Sequence, residues 1–92
     1  WGRLPNGLRY VIWPLDGHDQ VSLRLLVEAG AGIEEPDQRG LAHFLEHMLF
    51  KGTQNLPQAD LAAYLQRLGL RFGADANAST GVDSTIYKLD MP

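Results

Sequence analysis

From Leu41 to Phe50 the chain is apolar except at three places, His43, Glu46 and His47. Pro36 and Asp37 open a helix start signal, the apolar run continues it, and Gly52 supplies a stop, so the pattern predicts one helix from about Pro36 to the end of the run. Successive residues turn by about 100° around a helix, so the two histidines share a face one turn apart and Glu46 falls beside them. The remaining arc, Leu41, Ala42, Phe44, Leu45, Met48 and Leu49, predicts a helix buried over most of its circumference. Three titratable groups on such a helix cost several kcal/mol if left uncompensated, and a divalent ion bound by neutral imidazoles offsets that cost. The simpler alternative is a pair of buried histidines hydrogen-bonded to Glu46 or to backbone.

The rest of the chain limits what can surround this helix. Leu4-Pro5-Asn6-Gly7-Leu8 signals a tight hairpin with positive φ at both central residues, followed by a strand from Leu8 to Trp13 that Pro14 ends. Asp16 to Gln20 reads as a loop and Val21 to Val27 as a second strand. Pro57 precedes a second helix, in which Leu61, Tyr64, Leu65 and Leu68 recur at helical spacing until Gly69, the ordinary pattern of core packing. Ala74 to Thr80 and Thr85 to Met91 are the final strands, around a turn at Gly81. The order strand, strand, helix, helix, strand, strand predicts an α+β fold in two layers, a largely antiparallel or mixed sheet with helices on one face.

Composition removes several classes of function. A net charge of −3, with eight dispersed Lys and Arg, gives no basic stripe for nucleic acid. No run approaches the roughly 20 apolar residues of a membrane span. Without cysteine there are no disulfides and no thiolate ligands, which leaves His, Asp and Glu as metal ligands. The glycines flanking Ala31 lack the spacing of a phosphate-binding loop. The chain opens at Trp1 with no basic-then-apolar leader, so its compartment is not read from its start.

The spacing His-x-x-Glu-His arises by chance in roughly a few in a thousand chains this short, and it is the reversed counterpart of the His-Glu-x-x-His zinc motif. Gly40-Leu41-Ala42-His43-Phe44-Leu45-Glu46-His47-Met48-Leu49-Phe50-Lys51-Gly52-Thr53 resembles the signature of the pitrilysin, insulin-degrading-enzyme and mitochondrial-processing-peptidase family. Asn77-Ala78-Ser79-Thr80, with Asp83, Thr85 and Tyr87, is similar to the family strand that lies beside the zinc and pairs with substrate backbone. Leu4 to Tyr10 resembles the first hairpin of these enzymes, particularly of the bacterial periplasmic, pyrroloquinoline-linked members, and on that resemblance alone the compartment is periplasmic.

The resemblance implies that residues 1–92 are the amino-terminal part of a zinc-peptidase catalytic domain. His43 and His47 would ligate zinc, Glu46 would act as general base on the metal-bound water, and Asn77, Ala78 and Thr80 would bind an extended peptide or small protein substrate. The family's third ligand is a glutamate beyond this stretch. After His47 the acidic residues are Asp60, Asp75, Asp83 and Asp90, and none stands at the family position. The fragment alone is therefore expected to bind zinc weakly and to be inactive without the remaining part of the peptidase or a partner subunit. Phe50 lies about 20° from His43 on the same helical count, inside the polar sector, and is expected to wall the substrate side-chain pocket, with a core position at the helix end as the alternative. Two other readings remain at this point: a non-catalytic subunit of the same fold, and a ribosylhomocysteine lyase, whose third ligand would be a cysteine that this chain lacks.

Overall fold

The computed structural model describes residues 1–71 and 73–92. It is an α+β fold of two antiparallel sheets and two helices. The short strands β1 (Gly2–Arg3) and β2 (Arg9–Tyr10) form a small hairpin. The longer strands β3 (Val21–Val27), β4 (Ala76–Thr80) and β5 (Thr85–Met91) form the main sheet in the order β3-β5-β4, so β4 and β3 are its edges. Helix α1 (Leu41–Met48) and helix α2 (Gln58–Arg67) separate β3 from β4 in the chain.

Pairing of Leu23 with Leu89, Leu25 with Tyr87, Ala76 with Leu89 and Ala78 with Tyr87 gathers the apolar side chains on one face. The opposite face holds Arg24, Lys88 and Asp90, and Arg24 Nη1 donates to Asp90 Oδ1 at 2.7 Å. The helices lie on the apolar face. Leu49 and Phe50, with Leu61 and Leu65 of α2, meet Leu23, Leu25, Ala76, Tyr87 and Leu89 around an apolar groove of about 410 Å³. Leu65, Leu70 and Ala76 are buried along the path from α2 into β4, and Thr85 is buried at the other end of the sheet, where its hydroxyl donates to Ala29 O at 2.8 Å.

Four local expectations are corrected. The first hairpin closes through Gly7 N–H to Leu4 O at 2.9 Å, and only Gly7 takes positive φ, not Asn6. That is a four-residue turn, Leu4 to Gly7, with Pro5 in its second place and the left-handed glycine in its last. The strand expected from Leu8 to Trp13 shrinks to β2, because its partner β1 is two residues long and Val11 to Trp13 meet no ladder. The helix does not run on from Pro36: residues Pro36–Gln38 form a separate 3₁₀ turn, and Gly40 at φ 90° breaks the chain direction before α1 starts. Only glycine takes that φ without a steric cost. The strand expected from Ala74 starts at Ala76, because Asp75 and Ala76 donate their N–H groups back to Arg71 O in a turn.

The expectation of a largely buried metal helix is also corrected. No residue of α1 is buried, and Leu41, Phe44 and Leu45 are 54%, 60% and 57% exposed. Helix α1 packs on β4 and β5, with further contacts to residues 31–33 and 49–51, and its apolar residues Leu41, Phe44, Leu45 and Met48 stay exposed. Among the described residues no helix is long and apolar enough to cross a membrane.

Candidate metal and peptide site

Helix α1 brings His43 and His47 together, as residues four apart on a helix must be. Their Nε2 atoms stand 2.9 Å apart, close enough for one imidazole N–H to donate to the other ring, and the ring centroids are 4.6 Å apart. Both histidines are exposed, contrary to the buried setting expected for them. Glu46 is half-buried on the side of the helix that meets the sheet.

The register of β4 decides what reaches Glu46. Ala76, Ala78 and Thr80 share the helix-facing side, and the Thr80 hydroxyl donates to Glu46 Oε2. Tyr87, beside Ala78 on β5, also lies near this carboxylate; burial first, and then the Glu46 charge, push its phenol above the ordinary range. Glu46, His47, Phe50, Lys51, Gly73, Ala76, Asn77 and Ala78 line a cleft of about 240 Å³. His43 is not among the residues lining the cleft but stands against the ring of His47, which is. Phe50 falls outside α1, in the 3₁₀ turn Leu49–Lys51, and borders both this cleft and the apolar groove.

Strand β4 leaves one edge open. Gly81 N–H donates to Ser84 O and Asp90 N–H to Asp75 O, each at 2.8 Å, so the odd-numbered residues of this strand bond to β5. In an antiparallel ladder the alternate residues then direct their N–H and C=O outward. At Ala76 the chain covers itself, through Arg71 O and Gly73 N–H. At Ala78 the N–H donates to Asn77 Oδ1 at 2.8 Å, so the side chain of Asn77 occupies the edge position that an added strand would take.

The donor set suits a zinc ion in part. Zinc–nitrogen bonds of about 2.0–2.1 Å separate two tetrahedral ligands by roughly 3.3 Å, slightly wider than the spacing of this imidazole pair. Among the described residues no third His, Asp or Glu joins them in a metal-binding cluster.

One contributor carried no signal in the helical pattern. Glu34 accepts from Gly40 N–H at 3.1 Å and from Ala42 N–H at 2.8 Å, and these bonds, Ala42's first, hold its carboxyl below the ordinary range. Its place in an irregular segment six residues before Gly40 matches no capping-box spacing, so sequence reasoning passes over it.

Comparison with known proteins agrees on one assignment. Residues 10–92 match the family model described as "Insulinase (Peptidase family M16)". The chain is 45% identical over 92 residues to "Probable zinc protease PqqL" of Escherichia coli strain K12, covering 99% of this chain and 10% of that protein. It is 34% identical over 85 residues to the mitochondrial-processing peptidase subunit beta of Saccharomyces cerevisiae, covering 92% of this chain and 18% of that protein. The crystal structure of the first half of the periplasmic protease PqqL from Escherichia coli superposes with a TM-score of 0.91 at 44% identity, over 99% of this chain and 20% of that one. The chain thus spans about a tenth of the length of the PqqL and PQQL-like zinc proteases it matches. It belongs to the insulinase family of peptidases, family M16.

Proposed function

We propose that this chain is the amino-terminal part of the catalytic domain of a zinc endopeptidase, in which His43 and His47 hold the metal and Glu46 is the general base. The observation that carries the reading is the convergence of the two Nε2 atoms, 2.9 Å apart, next to a cleft that Glu46 shares with the free-edged strand β4. Relatives named as zinc proteases support the choice of metal.

Zinc, when bound, supplies Lewis acidity, lowering the pKa of a water to about 7 and polarising the scissile carbonyl. The chain's own residues do the rest. The Glu46 carboxylate, oriented by the Thr80 hydroxyl, takes the proton of the attacking water and returns it to the departing amine. Aspartate is one methylene too short for that reach, and an amide offers no base. An extended peptide pairs with the outward backbone groups of Ala78 and Thr80, replacing the Asn77 amide on Ala78 N–H; main-chain pairing gives affinity with little demand on sequence. Asn77, once released, is free to hold the peptide, and Phe50 walls the space for a side chain next to the scissile bond.

A catalytic zinc takes three protein ligands and leaves a position open. The third comes from the remainder of a longer peptidase or from a partner subunit, so these 92 residues alone hold zinc weakly and do not turn over. The compartment is the periplasm, as for the E. coli protease of similar structure. Zinc analysis of the full-length protein tests the reading: about one ion per site in the wild type, and loss of it in both His43→Ala and His47→Ala. Full zinc content in either variant would refute it.

A further inference from the structure

Helix α1 has no cap of its own. Its N-cap residue is Gly40, without a side chain, and the first N–H groups of any helix lack partners inside it. Glu34 fills the gap with both carboxylate oxygens, one on Gly40 and one on Ala42, the residue directly before His43. The lowered carboxyl range of Glu34 fits a carboxylate that is engaged this way.

The segment that carries Glu34 is anchored at its other end. Ala31 N–H donates to Gly81 O at 2.9 Å and Gly32 N–H to Val82 O at 2.8 Å, at the turn that directly follows Thr80. The approach is so close that a Cβ on Gly30 would lie 2.3 Å from Gly81 O. Residues 30–34 therefore join the chain just after Thr80 to the chain just before His43. Gly40, with its positive φ, is the weak point of this connection, and the Glu34 carboxylate spans it.

We propose that Glu34 is a positioning residue for the metal pair: by clamping the first turn of α1 to the segment seated on the β4–β5 turn, it sets where His43, Glu46 and His47 lie relative to the substrate edge. The inference rests on the zinc reading above. A cap that only stabilised the helix would lower the melting temperature and leave the metal site as it was. A clamp that positions the helix changes metal affinity and ligand geometry as well.

The test uses the full-length protein with Glu34→Gln, which sets an NH₂ against one of the two N–H donors, and Glu34→Asp, whose shorter arm reaches only one of them. Zinc affinity is measured by competition with a chromogenic chelator, and ligand geometry by the visible spectrum of the cobalt-substituted protein. Glu34→Gln is expected to weaken zinc binding about tenfold and to shift the cobalt bands, with Glu34→Asp between it and the wild type. Wild-type affinity and an unchanged cobalt spectrum in both variants would overturn the inference, whatever their melting temperatures. A wild-type protein that takes up no zinc would overturn the metal reading itself, and with it this one.

Discussion

Thr80 of β4 donates its hydroxyl hydrogen bond to Glu46 of α1, linking residues 34 positions apart. The bond ties the strand with the open edge to the carboxylate proposed as base, so on that proposal a peptide laid on the edge would meet a carboxylate already held in one orientation. It is possible because register places Thr80 on the helix-facing side with Ala76 and Ala78.

Replacing Thr80 by Val removes the hydroxyl while keeping the branched shape. A hydrogen bond to a charged group contributes about 1.5–3 kcal/mol, so kcat should fall about tenfold or more in the full-length enzyme. KM for a short peptide should change little, and Thr80→Ser should keep most of the rate. Steady-state kinetics on the three proteins check this; a Val variant with wild-type kcat would mean that the bond does not orient the base.

Much of this arrangement is legible in the sequence, and the parts that are not have identifiable causes. The spans of β3 and β5 follow from alternation, and the approach of His43 to His47 follows from helical spacing. The two-layer α+β class follows from the order of elements. Burial is not legible, because a helix pattern shows which residues are apolar but not how much chain is at hand to cover them. Phe44 and Leu45 remain exposed for that reason. The break at Gly40, at φ 90°, is not encoded by any local motif, and the acceptor for its N–H comes from Glu34, six residues upstream. The hairpin turn is ambiguous in the sequence, because Asn6-Gly7 fits two turn classes, and Pro5 selects the one with a single left-handed residue.

Acid should destabilise the fold in a defined window. Backbone N–H bonds from Ala42 and Gly40 hold Glu34 below its ordinary range, the Arg71 N–H and guanidinium hold Asp75 down, and the Arg24 guanidinium and Ser22 hold Asp90 down. A carboxyl with a depressed folded pKa contributes stability above its unfolded pKa, and that contribution is lost as pH falls through the folded value. Thermal midpoints should be flat from neutral pH down to about 5 and drop below about 4. The drop should be smaller in Asp75→Asn, measured by circular dichroism, and an identical acid limb would remove Asp75 from the account.

Phe50 borders both the cleft and the apolar groove, so its truncation should have two effects. Phe50→Ala should lower stability by roughly 2 kcal/mol, about half the cost at a fully buried site, since this ring is only half-buried. It should also change kcat/KM unequally across peptides that differ only in the side chain next to the scissile bond, with zinc content unchanged. Equal losses for every peptide would leave Phe50 a packing residue alone.

The central claim is that Glu46 moves the proton at a metal held by His43 and His47. Glu46→Gln keeps the shape and removes the base, so its kcat on an unstructured peptide, measured in the full-length enzyme alongside its zinc content, separates the two roles. The account predicts a loss of about 10²–10⁴ in kcat with zinc content at the wild-type level. Retained hydrolysis, or loss of zinc together with activity, would contradict it.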